Sequence, residues 1–180
     1  MPRMTPKRDS HCSFCGAAFA EGLAWPRTCA ACQSVSYKNP LPVACVLLPV
    51  IDGDRRGLLL IRRGIPPQIG KLAVPGGFIG VGESWQVAGA RELFEETRVR
   101  IDPETIKDFR VLSAPDGTVL IFGEAPAIDA SALPPFTPTD ETTERPVVFA
   151  PEPLAFPLHT RVVEELFARD RRGEAPWHRG

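Results

Sequence analysis

Residues 74–99, VPGGFIGVGESWQVAGARELFEETRV, constrain this chain more than any other stretch. A loop with glycine at 76, 77, 80 and 82 runs straight into a helical pattern over 84–97. Ser84 is the expected N-cap, and Ala88, Ala90 and Leu93 face a core. Glu92, Glu95 and Glu96 stand at i, i+3 and i+4, so they share one side of the helix within an arc of about 100°. Carboxylates this close repel one another, and they sit on the C-terminal half, where the helix dipole disfavours negative charge. Arg91, four residues before Glu95 and eight after Glu83, can pair with one of them. A solvated acidic face would leave the repulsion to water. A hard divalent cation would offset it, and oxygen ligands on one face suit Mg²⁺ or Mn²⁺. The bare glycine loop favours the cation, because another group can approach its backbone closely.

Four of the five cysteines form two C-x-x-C pairs, Cys12 with Cys15 and Cys29 with Cys32, thirteen residues apart. Two such turns complete a tetrahedral thiolate site for zinc. Gly16 follows the first pair, where a knuckle wants positive φ. A redox pair would need its C-x-x-C at a helix N-terminus after a strand, a pattern missing here; four buried apolar thiols are the remaining alternative. Four thiolates leave no open position, so the metal is expected to be structural, standing in for a core that about forty residues cannot build. His11 reads as a bystander and Cys45 as a core strand residue.

The net charge of −1 and pI near 6.3 lack a nucleic-acid footprint. The longest apolar stretch, Val43 to Ile51, is nine residues and contains Pro49, too short to span a membrane. The N-terminus has no secretory pattern, so a cytoplasmic protein with reduced thiols is expected. The expected divisions are a ribbon and linker over 1–40, a main domain over 41–170 and a loose tail over 171–180. Twenty prolines, clustered between Pro126 and Pro157, make that region loop-rich. VACVLLPVI and LLLIRR read as a hairpin around DGDRRG; FRVLSA, TVLIFGEA and PVVFA read as further strands. LHTRVVEELFARDRR closes the chain as a helix with Val162, Val163, Leu166 and Phe167 on one face. The class is α/β or α+β.

Residues 77–99 resemble the signature box of the Nudix hydrolases, G-x5-E-x7-R-E-U-x-E-E-x-G-U with U aliphatic. Gly77, Glu83, Arg91, Glu92, Leu93, Glu95, Glu96 and Val99 fall on their places. Arg98 departs from it, standing where the family has a helix-ending glycine. Arg98 is therefore expected either to take positive φ, at a cost of about 1 kcal/mol, or to end the helix differently from the family pattern. The resemblance implies an α/β/α sandwich around a mixed sheet. It implies hydrolysis of a nucleoside diphosphate linked to another moiety, with Mg²⁺ or Mn²⁺ on Glu92, Glu95 and Glu96. Glu83 and Arg91 would be mainly structural, and the Gly76 and Gly77 backbone would reach toward the metal. A late glutamate, Glu141 or Glu144, would act as base. Arg62 and Arg63 are candidates to meet phosphates, with surface arginines as the alternative.

A four-cysteine ribbon, YKNP and then such a domain resembles NADH pyrophosphatases, but their S-Q-P-W-P-F-P-x-S stretch is missing. The order also resembles plant-type zinc-ribbon enzymes acting on FAD and ADP-ribose, with PLAFPLH similar to their LAF segment. Pro115, sixteen residues past the box, echoes ADP-ribose pyrophosphatases. ADP-ribose or FAD is the expected substrate, NADH the alternative. A third reading is a non-catalytic sensor that docks through its ribbon and the basic Arg3, Lys7 and Arg8. No membrane partner is expected, nucleic acid is disfavoured, and a homodimer is left open.

Overall fold

The computed structural model describes residues 8–173. Arg3, Lys7, Trp177 and residues 174–180 of the expected tail lie outside the described residues. The chain divides into two compact units, Met1–Pro40 and Leu41–Gly180.

In the first unit, strands β1 (Arg27–Thr28) and β2 (Val35–Ser36) pair antiparallel on either side of the second cysteine pair. An isolated bridge between His11 and Ala18 does the same around the first.

The second unit runs through β3 (Leu41–Leu47), β4 (Pro49–Asp52), β5 (Arg55–Leu59), β6 (Ile61–Arg63), β7 (Leu72–Ala73) and β8 (Gly76–Phe78) to helix α1 (Trp85–Thr97). It continues through β9 (Lys107–Ser113), β10 (Thr118–Glu124), β11 (Ile128–Asp129), β12 (Thr142–Glu144) and β13 (Val147–Val148) to helix α2 (Pro157–Arg171). The strands form a mixed sheet β8-β3-β10-β9, in which β3 and β10 are parallel, a second sheet β11-β4-β5-β13 and a third, β12-β6-β7. VACVLLPVI and LLLIRR, each expected as one strand, are broken at Leu48 and Leu60. Pro49 has no N–H to continue a ladder, and the Leu60 N–H goes instead to Pro146 O. The breaks let one chain segment serve two sheets.

Strand alternation decides what covers each face. Cys45, Leu47, Leu58 and Leu60 pack with Val162, Val163, Leu166 and Phe167 of α2, the face expected from the sequence. Val46, Leu48, Val50 and Leu59 pack with Ala90 and Leu93 of α1. Apolar residues pointing both ways give helices on both sides, an α/β/α sandwich. Each fully buried leucine contributes about 2 kcal/mol of apolar burial.

The start of α1 is as expected: Ser84 Oγ accepts from Val87 N at 3.3 Å. Its end is too. Arg98 takes φ 65° and ψ 7° and donates its N–H to Phe94 O, the left-handed cap that glycine would otherwise supply.

Candidate active site

Strand β8 and helix α1 bring the glycine loop and the acids together. Glu96 is 9% exposed, and its Oε2 accepts from Gly76 N at 2.9 Å. A side chain at residue 76 would strike Ala44 O and Cys45 Cα, and one at residue 77 would occupy the space of the Glu92 carboxylate. Gly76 is therefore required by close backbone approach, while a side chain at residue 77 would displace the Glu92 carboxylate. Glu92 is half-buried and Glu95 exposed. Burial pushes the Glu96 carboxyl up to about 8; the Gly76 N–H opposes this, the Glu92 charge adds to it, Arg63 opposes and Glu141 adds. Glu92 is raised by burial first, with Arg91 pulling it down and Glu95 and Glu141 pushing it up.

The sequence allowed Arg91 one partner; the structure gives it three. Its guanidinium meets Glu83 at 2.8 and 3.3 Å, Glu92 at 2.7 Å and Glu95 at 3.4 Å, and also donates to Phe78 O at 3.1 Å. Glu83 is held ionised by Arg91 and by the Gly80 N–H, which donates to it at 2.6 Å. This clamp ties the glycine loop to the acid helix, so Arg91 and Glu83 fix where the carboxylates stand.

The late glutamates separate by location. Glu144 is ion-paired to Arg62 at 2.6 Å. Glu141 holds Gly64 N through its own carbonyl at 2.7 Å, and its charge is felt at both Glu92 and Glu96. Arg62 and Arg63 spend donors on the loop after β6: Arg62 on Gly70 O and Arg63 on Pro67 O, each at 2.8 Å. Their geometry is that of loop braces, although the Arg63 charge still reaches Glu96. Sequence reasoning missed His159. It is buried on α2, its Nδ1 accepts from Val74 N at 3.3 Å, and burial, aided by Arg63, pulls it down to about 4. A histidine on an amphipathic helix carries no local signal of that role.

The donor set is all oxygen: carboxylates from one helix face beside a close-packed glycine backbone. Buried acids that raise one another's pKa are the charge pattern that a hard cation offsets, so the residues fit Mg²⁺ or Mn²⁺.

The cysteine unit is a second centre. Cys12 and Cys32 sulfurs are 3.7 Å apart, Cys15 and Cys29 sulfurs 3.6 Å, and all four lie within 4.8 Å of one another. Sulfurs about 2.3 Å from a tetrahedral zinc would be about 3.8 Å apart, so the thiols fit that ion. Gly16 takes φ 75° and donates to Cys12 O; Gln33, which the sequence did not flag, takes φ 60° and donates to Cys29 O in the same way. The Ser34 hydroxyl and N–H pull Cys32 down to about 6. Against the pull of the Ala17 N–H, the Cys32 and Cys29 sulfurs push Cys15 up to about 12. Thiols this crowded do not all ionise without a cation.

The sandwich with an acid helix behind a glycine loop defines a Nudix-type hydrolase domain, and the NUDIX domain family matches residues 40–152. The chain belongs to the NUDIX family. The NAD-capped RNA hydrolase NudC of Edwardsiella ictaluri (strain 93-146) is 34% identical over 91 residues, 50% of this chain and 34% of that protein. The chain thus spans about a third of that relative's length. A NUDIX hydrolase from Nitrosomonas europaea superposes with a TM-score of 0.71 over 95% of this chain and 97% of that one, at 25% identity. A bifunctional NMN adenylyltransferase/ADP ribose pyrophosphatase from Francisella tularensis, complexed with AMP and manganese, gives a TM-score of 0.50 at 26% identity, covering 62% of this chain and 34% of that one. Among the described residues no helix is long and apolar enough to cross a membrane.

Proposed function

We propose that this chain hydrolyses the pyrophosphate bond of a nucleoside diphosphate linked to another moiety, with ADP-ribose or FAD as the first candidates. The observation that carries this reading is the buried Glu96, pinned by Gly76 N–H at 2.9 Å, with Glu92 and Glu141 charges facing it. Glu92, Glu95 and Glu96 would hold Mg²⁺ or Mn²⁺, with the Gly76 and Gly77 backbone beside them. When bound, the cation neutralises the pyrophosphate oxygens and makes the attacking water more acidic. Glu141, free of the arginine that engages Glu144, takes the water's proton. Arg91 keeps the carboxylates aligned, and Glu83 keeps Arg91 aligned.

The ADP ribose pyrophosphatase activity of the Francisella relative supports ADP-ribose. That of the Edwardsiella relative supports an NAD-type dinucleotide, a second reading that the missing S-Q-P-W-P-F-P-x-S stretch disfavours. All these substrates share an ADP moiety. A non-catalytic sensor is disfavoured because it has no need of the intact acids. The cysteine unit, residues 1–40 with the linker, carries structural zinc; the hydrolase domain spans 41–170, followed by a tail. The working compartment is the cytoplasm, and homodimerisation stays open to measurement. The test is phosphate release, coupled to a phosphatase, from ADP-ribose, FAD and NADH with Mg²⁺ or Mn²⁺. Turnover of at least one substrate that depends on the metal supports the reading; no turnover of any with either metal rejects it.

A further inference from the structure

Helix α1 has an electrostatic problem at its C-terminal end. Its last turn contains no basic residue, while Glu92, Glu95 and Glu96 crowd the same half. That end is the negative pole of the helix dipole, and its last carbonyls have no donor within the helix. Arg98 and Arg100, just past the helix, lie over the Phe94 ring, and a cation bonded to the helix's own carbonyl end comes from farther along the chain. Arg145, just past β12, donates from Nη1 to Thr97 O, the last residue of α1, at 2.7 Å. From Nη2 it donates to Pro134 O at 2.9 Å.

Its setting is unusual for an arginine. Its Nε is buried without a hydrogen-bond partner, and among the described residues no carboxylate forms an ion pair with it. The guanidinium faces the Phe136 ring at 5.4 Å. A part-buried charge with two backbone carbonyls as partners is placed by those carbonyls. Pro134 and Arg145 bracket the segment that carries Glu141. Arg145 therefore closes that segment on itself and fastens it to the helix that carries Glu92 and Glu96.

We propose that Arg145 is a positioning residue: it holds the Glu141 segment at a set distance from the acid helix, and its charge offsets the negative end of that helix. The inference rests on the hydrolase reading above for its kinetic consequence, but its structural half is measurable alone. In Arg145→Ala, kcat falls about a hundred-fold, the scale on which a misplacement near 1 Å acts, while KM stays within about three-fold because both Arg145 amino groups are spent on Thr97 O and Pro134 O. Added guanidinium ion restores part of kcat, a rescue that loss of folding would not allow. Arg145→Lys keeps the charge but not the two-pronged reach, and gives an intermediate kcat. A folded Arg145→Ala with parental kcat overturns the proposal. If Arg145→Ala does not fold, the lysine variant decides, and parental kcat in that variant overturns it. If the parent protein hydrolyses none of the substrates, the hydrolase reading has failed, and amide hydrogen exchange in whichever of the two variants folds decides the positioning role. Faster exchange at both 94–97 and 139–143 supports it; unchanged exchange at either segment overturns it.

Discussion

The cysteine unit and the acid helix face the same difficulty, crowded anionic ligands, and resolve it differently. Four thiols from two knuckles converge until all lie within 4.8 Å of one another, with ligands on every side of the centre. The glutamates fan out from one helix face, one buried, one half-buried and one exposed. Thiolates that enclose a soft ion leave nothing for chemistry. Carboxylates on one side of a hard ion leave the other side to water and phosphate oxygens. On the proposed function, arrangement as much as residue type separates a centre that would hold a fold from one that would act on a substrate.

The largest expected effect tests the acid side. Glu96→Gln keeps an acceptor for Gly76 N–H but removes the charge, so kcat should fall about a thousand-fold with the melting temperature no lower than the parent's. Glu95→Gln should also lose orders of magnitude, though less, because Glu95 is exposed. Turnover within a few-fold of the parent in steady-state kinetics would return both residues to a solvated face and erase the contrast.

Cys29→Ser tests the other side. Metal analysis should find about one zinc per parent chain and little in the variant. Amide exchange should rise sharply across residues 10–37, while kcat changes only a few-fold. A hundred-fold loss of kcat would mean that the two centres are not separable as structural and catalytic.

A pH series sharpens the acid side further. Without divalent ions, the folded Glu96 titrates at about 8 against an ordinary value of 4.5. Between these values the native state holds a proton that the unfolded chain has released, so stability should fall as pH rises through that window. Glu96→Gln should flatten the slope, and Mg²⁺ should raise stability most at its upper end. Chemical denaturation at several pH values checks this, and an identical slope in parent and variant would contradict it.

The smallest effect concerns the helix end. At φ 65°, Arg98→Gly should stabilise by about 1 kcal/mol. The gain is partly offset by the freedom of glycine in the unfolded chain and by loss of the Arg98 contact with the Phe94 ring at 5.8 Å. Kinetics should be unaltered. A raised KM with no gain in melting temperature would instead assign Arg98 to substrate.

The features legible in the sequence were local ones. Helical period alone put Glu92, Glu95 and Glu96 on one face, and the C-x-x-C turns aimed their sulfurs within a few residues of chain. Ser84 followed from cap chemistry at a single position, and the left-handed Arg98 from its resemblance-implied place at a helix-ending glycine. Strand limits were less legible, because Leu48 and Leu60 are as apolar as their neighbours and only pairing partners reveal the breaks. Gln33 escaped notice because a knuckle turn can force positive φ on a residue with no preference for it.

What tertiary structure decided were the choices between residues of one type. Glu141 and Glu144 are both acidic and nearly adjacent, yet pairing of β12 with β6 sets Glu144 on Arg62 and leaves the Glu141 charge near the buried acids. Arg62, Arg63 and Arg145 are all arginines near turns. Their carbonyl partners at Gly70, Pro67, Pro134 and Thr97 exist only once the loops are packed. The physical reason is common to these cases: dihedral preferences and helical period act over a few residues and can be read in one pass. The field at a carboxylate and the partner of a guanidinium depend on charges and carbonyls that only the folded loops put in place, some nearby like Pro67 for Arg63 and some distant like Thr97 for Arg145.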